Sequence, residues 1–166
     1  FSLELPYPAL KAPAQVQNAA CAIAALRAAH LDIPDSAWAK GVASARNTGR
    51  LQQWQSDPEV ILDVAHNPQS VDQLAQWLRD NPKTTLAVFS ALKDKDIAGM
   101  VETIRPFISH WYLGVLEQPA GRVLTAEETD GLFAGIVPEI DFTLSADVTS
   151  AYRNALADCP EAGRVL

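Results

Sequence analysis

The stretch Glu59-Val60-Ile61-Leu62-Asp63-Val64-Ala65-His66-Asn67-Pro68 constrains the fold of this chain most. Its first half is a short apolar run rich in β-branched residues, the pattern of a buried strand. Its end reads as the start of a helix. Asn67 can cap that helix, and Pro68 suits the first turn, where no backbone N–H is needed. Val71, Leu74, Ala75 and Leu78 then recur at helical spacing. A carboxylate (Asp63) and an imidazole (His66) are thus delivered where a strand turns into a helix. Open α/β sheets bind ligands in the crevice outside the carboxyl ends of their strands. The free N–H groups of a helix start suit an anion there.

The same alternation continues. Strands are predicted over Val60–Val64, Thr84–Phe89, His110–Val115 and Phe142–Leu144, with another beginning at Val165. Helices are predicted over Gln69–Asn81, Asp94–Ile104, Thr125–Ile136 and Ala146–Ala157. Pro106 ends the second of these. Thr125 opens the third, with Glu128 at capping-box spacing. Such alternation specifies a mostly parallel, Rossmann-like α/β sheet with helices on both faces. Ahead of it lie a short edge strand near the amino terminus, a helix from Gln15 to Ala29, and a second helix capped by Asp35 or Ser36 and running to about Arg46. The Ala- and Leu-rich helix carries Val16, Ala20, Ile23, Ala24 and Leu26 on one side. Asn47-Thr48-Gly49-Arg50 is a turn in which Gly49 can take positive φ, and it separates two units, 1–47 and 48–166. The last strand is expected to be cut short, and the chain to be a piece of a longer protein.

Composition narrows the function. A net charge of −7 argues against a nucleic-acid partner, because phosphate binding needs clustered Lys and Arg. No apolar run is long enough to span a membrane, and a soluble, cytoplasmic, monomeric protein is expected. Cys21 and Cys159 form neither a disulfide framework nor a zinc pattern. No GxGxxG or GxxxxGK[ST] loop is present. Asp63 and His66 after one strand, and Ser90, Lys93, Asp94, Lys95 and Asp96 after the next, belong on one rim of a parallel sheet. Each has a plain alternative. Asp63 could simply accept backbone hydrogen bonds from a neighbouring loop, and His66 could be a surface residue. Lys93–Asp96 could be a solvated turn with Asp94 as cap, and Arg50 an exposed arginine. Asn18, in an Ala-rich helix, wastes propensity unless it bonds something. Trp38, Trp54, Trp77 and Trp111 are expected to be packed rather than to stack on bases. His30 and His110 have no visible partner.

Four segments in order, Gln17-Asn18-Ala19-Ala20, Gly49-Arg50-Leu51-Gln52, Leu62 to Pro68 and Ser90-Ala91-Leu92-Lys93-Asp94-Lys95-Asp96, resemble folylpolyglutamate synthases. The likeness is nearest to the bacterial bifunctional dihydrofolate synthase/folylpolyglutamate synthases. Asp-x-Ala-His-Asn-Pro is shared with the wider Mur ligase superfamily, and Leu-x-Asp-Lys-Asp points to the folate branch. Thr48 departs from the Pro that often precedes Gly-Arg.

The resemblance implies an ATP-dependent amide ligase that joins glutamate to dihydropteroate and to folates through an acyl phosphate. Residues 1–47 would be the helical tail of a central ATPase domain. Residues 48–166 would be a Mur-ligase-type carboxy-terminal domain lacking its last strand. By the same resemblance Asn18, Arg50 and Asp63 would bind ATP, with Asp63 at the ribose or orienting the domain against it. His66 would be catalytic and, with Ser90, Lys93 and Asp94, would form the glutamate side of the site. Mg2+ would be held by residues outside this segment, as would the phosphate-binding loop. A Mur ligase of peptidoglycan synthesis, or a noncatalytic nucleotide- or amino-acid-binding module, are the alternatives.

Overall fold

The computed structural model describes residues 3–10, 12, 14–116, 122–136 and 141–166. Two helices come first, α1 (Gln15–Ala28) and α2 (Asp35–Ser44). A hairpin of β1 (Gln52–Ser56) and β2 (Glu59–Leu62) follows. The alternation then runs α3 (Pro68–Asp80), β3 (Thr85–Phe89), α4 (Ile97–Ile104), β4 (His110–Gly114), α5 (Ala126–Ile136), β5 (Phe142–Ser145), α6 (Val148–Asp158) and β6 (Arg164–Val165).

The six strands form one sheet in the order β1-β2-β6-β3-β4-β5. Only β1 is antiparallel, with Gln52 opposite Leu62 and Ser56 opposite Glu59. The short β6 lies in the middle, parallel to both β2 and β3. Its pairing continues through Leu166, whose N–H donates to Leu86 O and whose carbonyl accepts from Val88 N.

The layers follow from the direction of the connections. From β2 through β3 and β4 to β5 the chain steps one way across the sheet, and from β5 to β6 it returns. Right-handed crossovers then require the returning helix to lie on the opposite face. The packing agrees. Ile61, Ala87, Trp111 and Leu113 pack with Val71 and Leu74 of α3, Val101 of α4 and Phe133 of α5. Val60, Leu86, Tyr112 and Val165 point the other way and pack with Ala151 and Ala155 of α6. Adjacent residues such as Trp111 and Tyr112 part because successive side chains in a strand alternate faces. Each fully buried Val, Leu or Ile contributes roughly 1.5–3 kcal/mol, so the larger α3–α5 layer is the main source of stability.

Several predicted details change. No strand forms over residues 3–8; the expected edge strand there is replaced by irregular backbone. The sheet's antiparallel edge is β1 instead, which its Gln-rich sequence does not advertise. Trp54 on β1 is 65% exposed, whereas Trp38, Trp77 and Trp111 are buried as expected. Helix α2 starts after Pro34 with no side-chain cap, and Asp35 sits inside its first turn. Helix α4 begins at Ile97, capped by Asp96 through Gly99 N, and not near Asp94. Asp94 is turned instead to Lys95 and Arg122, and it is the Asp96 carboxylate that meets a helix N–H. His110 does have partners: its Nε2 lies 2.9 Å from Thr143 Oγ1, and its ring centre lies 4.8 Å from that of Tyr112, tilted by 57°. No residue of α1 is buried, although the helix itself forms as predicted.

Candidate functional site

Because β2, β3, β4 and β5 run in parallel, the residues that follow them share one rim. Asp63 and His66 leave β2, and Ser90 to Asp96 leave β3, as the sequence predicts. Strand β6 stands between these two groups. Two strand spacings put them roughly 10 Å apart.

Asp63 is tied into the backbone. Its Oδ2 accepts from Leu51 N at 2.9 Å and its Oδ1 from Ala65 N at 2.8 Å. Beside it, Val64 N donates to Gly49 O at 2.8 Å, and Gly49 N donates to Gln52 Oε1 at 3.0 Å. These bonds fasten the turn before β1 to the end of β2. Both Gly49 and Leu51 have positive φ, 69° and 44°. For Leu51 that conformation is costly, and the Asp63 carboxylate holds it. Gln52 was not singled out from the sequence; an amide in a Gln pair carries no signal until its partner is known.

Arg50 sits between those two residues. It is half-buried and lines an open groove of about 490 Å³ with Ala45, Arg46, Asn47, Thr48 and Gln52. Among the described residues no carboxylate or other acceptor pairs with it. A guanidinium on a fixed turn, with its donors free among the described residues, is suited to phosphate oxygens.

His66 is exposed at the start of α3. Its Nδ1 lies 2.8 Å from Val64 O. A carbonyl can only accept, so Nδ1 carries the proton, and in the neutral ring Nε2 is the free acceptor. The helix start beside it is already closed. Asn67 Oδ1 accepts from Ser70 N at 2.9 Å, and Ser70 Oγ accepts from both His66 N and Asn67 N. The anion site expected at this helix start therefore has fewer free donors than a bare helix end.

The second group is knitted to the next connection. Ser90 lines a small pocket with Phe89, Gly114, Thr129 and Phe133. Lys93 Nζ lies 2.7 Å from Glu128 Oε1. Asp94 Oδ2 lies 3.4 Å from Lys95 Nζ and 3.8 Å from Arg122. Glu128 and Arg122 were missed as partners of this loop. The sequence marks Glu128 only as a helix cap, a role it also fills by accepting from Thr125 N.

Asn18 lies apart from both groups on exposed α1, and among the described residues its side chain donates only to Gln15 Oε1, at 3.3 Å. Among the described residues no group of three or more His, Cys, Asp or Glu could hold a metal ion. None of the helices among them is long and apolar enough to cross a membrane.

Known proteins share this arrangement. Residues 49–166 match the family described as Mur ligase, glutamate ligase domain. The dihydrofolate synthase/folylpolyglutamate synthase of Escherichia coli K12 is 42% identical over 126 residues, covering 75% of this chain and 28% of that protein. The solved structure of E. coli FolC in complex with ADP superposes with a TM-score of 0.83 at 36% identity, over 98% of this chain and 37% of that one. A bifunctional folylpolyglutamate synthase/dihydrofolate synthase solved with Mn, AMPPNP and L-glutamate bound gives 0.82 at 33% identity, over 97% and 37%. The chain thus spans little more than a third, or less, of the relatives it matches. With its parallel sheet, its Gly49-Arg50 turn and its Asp63–Pro68 strand-to-helix corner, the chain belongs to the Mur ligase family and carries that family's glutamate ligase domain.

Proposed function

We propose that this chain is the carboxy-terminal part of an ATP-dependent ligase that joins L-glutamate to dihydropteroate and to folates. In this reading residues 1–47 end the central ATPase domain, and residues 48–166 form the domain that meets it across the nucleotide. The enzyme acts as a cytoplasmic monomer. The observation that carries the reading is Arg50, whose guanidinium has no partner among the described residues and which lines an open groove on a turn that Asp63 clamps. The names of the relatives support the substrate class.

The chemistry proceeds in two steps. A substrate carboxylate takes the γ-phosphoryl group of ATP, forming an acyl phosphate and ADP. The amino group of glutamate then attacks the acyl carbon, loses a proton, and the C–O bond to phosphate breaks. Charge on the transferred group is the main electrostatic demand of the first step, and Arg50 answers it with a planar fork of donors. Asn18 would meet the adenine end of the nucleotide, and Asp63 would act at the ribose or through the turn it holds. Nε2 of His66 is the free acceptor for a proton from the amino group, with Ser90, Lys93 and Asp94 on the glutamate side. Among the described residues no group of three or more His, Cys, Asp or Glu could enclose a metal ion; in this reading the protein ligands of magnesium lie in the rest of the full-length enzyme.

Arg50→Lys in the full-length enzyme tests this reading. Lysine keeps the charge but loses the fork. Turnover at saturating ATP and glutamate should fall by about tenfold or more, since a charge-assisted contact is worth roughly 1.5–3 kcal/mol. The melting temperature should barely move. A large fall in melting temperature with turnover preserved would make Arg50 a structural tie instead. If wild-type enzyme consumes ATP with a UDP-muramyl precursor and not with dihydropteroate, the folate assignment falls.

A further inference from the structure

We propose that Glu128 is a positioning residue for the amino-acid substrate: through Lys93 it clasps the 90–96 loop to the start of α5, and Lys93 serves the site as part of that clasp, without touching substrate. The proposal rests on the ligase reading above.

Both oxygens of Glu128 are committed. Oε2 accepts from Thr125 N at 2.8 Å, and Oε1 lies 2.7 Å from Lys93 Nζ. Thr125 Oγ1 accepts from Glu128 N in return, at 3.2 Å. The capping box therefore immobilises the carboxylate before Lys93 arrives, so little extra side-chain entropy is lost when the ion pair forms. The Lys93 ammonium, and then the Thr125 amide, hold the Glu128 carboxyl below its ordinary range.

The backbone joins at the same place. Leu92 and Val123 form an antiparallel bridge, and Lys93 N donates to Arg122 O at 3.0 Å. The loop after β3 is thus anchored to the segment entering α5 by a main-chain seam, by the Lys93–Glu128 clasp and by the longer contact of Asp94 with Arg122 at 3.8 Å. An ammonium already paired at 2.7 Å is a poor ligand for an incoming carboxylate, which would have to displace Glu128. As an anchor the same pair fixes where Ser90, Ala91 and Asp94 stand on the rim.

The two roles predict opposite signs for Glu128→Gln. Glutamine keeps an acceptor for the Thr125 amide but loses the charge. In the full-length enzyme, glutamate is varied at saturating ATP and folate for wild type, Lys93→Ala, Glu128→Gln and the double variant. The clasp predicts that each single change raises KM for glutamate by about two- to fivefold, the range of an exposed ion pair. The double variant should be no worse than the singles, and KM for ATP should not change. Glu128→Gln leaving KM for glutamate unchanged or lowered while Lys93→Ala raises it overturns the proposal, because freeing a direct ligand should help binding. No change in either single variant overturns it as well. Amide exchange in the same protein without substrate reads the clasp independently. Exchange at Lys93 and Lys95 should quicken in Glu128→Gln, and unchanged exchange rejects the clasp. Wild-type enzyme that gives no glutamate-dependent turnover removes the ligase reading, and the substrate half of this proposal with it.

Discussion

Replacing Glu59 with alanine is expected to lower the unfolding free energy by about 3–5 kcal/mol, the usual cost of breaking a buried ion pair from one side. Its partner Arg164 is 1% exposed in the centre of the sheet. Arg164 Nε donates to Glu59 Oε2 at 2.7 Å, and Nη2 donates to Asn81 O at 3.0 Å. The guanidinium lies 4.4 Å from the Trp77 ring, and Nη1 has no partner among the described residues. Lys83 also reaches Glu59, at 3.2 Å. Without Glu59 a buried cation keeps one carbonyl and one ring face, which do not offset its lost hydration. Urea denaturation followed by tryptophan fluorescence measures the loss.

A double change, Glu59→Leu with Arg164→Met, should recover most of that stability, because an apolar pair of similar volume needs no hydration. If Glu59→Ala costs less than about 1 kcal/mol, the pair behaves as an exposed one. The pH dependence has a defined sign. Burial pushes the Glu59 carboxyl up, but the hydrogen bonds and charges of Arg164 and Lys83 outweigh it and hold the group below its ordinary 4.5. A depressed carboxylate contributes its stability in full above 4.5, and that contribution is lost as pH falls through the folded value. The acid limb should therefore be shallower in Glu59→Ala. This cluster lies at the amino ends of β2, β3 and β6, opposite the candidate site, so it acts on stability and not on chemistry.

Gly49→Ala should cost about 2–4 kcal/mol, from a left-handed backbone of roughly 1–2 kcal/mol and a steric clash of comparable size. Gly49 is buried with φ 69°, and a Cβ there would lie 2.5 Å from Val64 Cγ1. The two parts separate experimentally. Val64→Ala in the same chain removes the clash and leaves the backbone strain, so the double variant should regain about half of the loss. Full recovery would mean that the turn tolerates alanine at positive φ. Since Arg50 is the next residue, the full-length Gly49→Ala enzyme should also lose turnover, and Val64→Ala should not restore it fully.

Much of this architecture is legible from one dimension. Periodicity of two and of 3.6 located the strands and helices from β2 to β6, because burial on a sheet or helix face leaves that trace. Asn67-Pro68 and the Thr125–Glu128 pair marked helix starts correctly, since a cap bonds residues only three apart. Gly49 announced positive φ for an equally local reason. Strand β1 escaped notice because Gln52–Ser56 is an edge strand whose exposed face carries no alternation of hydrophobicity. The start of α4 was misplaced by three residues because Asp94 and Asp96 are equally good caps by type, and in the structure Lys93 and Asp94 face Glu128 and Arg122 of the neighbouring segment while Asp96 takes the cap.

By itself, then, the sequence determined the parallel α/β class, the strand-to-helix corner that carries Asp63 and His66, and the sharing of one rim by that corner and the 90–96 loop. These follow from local pattern and from the direction in which parallel strands must run. Tertiary structure alone decided that β6 inserts between β2 and β3, that Asp63 spends both oxygens on backbone amides, and that Arg50 has no partner among the described residues. It alone joined Lys93 to Glu128 and Glu59 to Arg164, across 35 and 105 residues. Such pairings are set by which strands become neighbours and how side chains pack across them, and residues so far apart in the chain leave no periodic trace of having met.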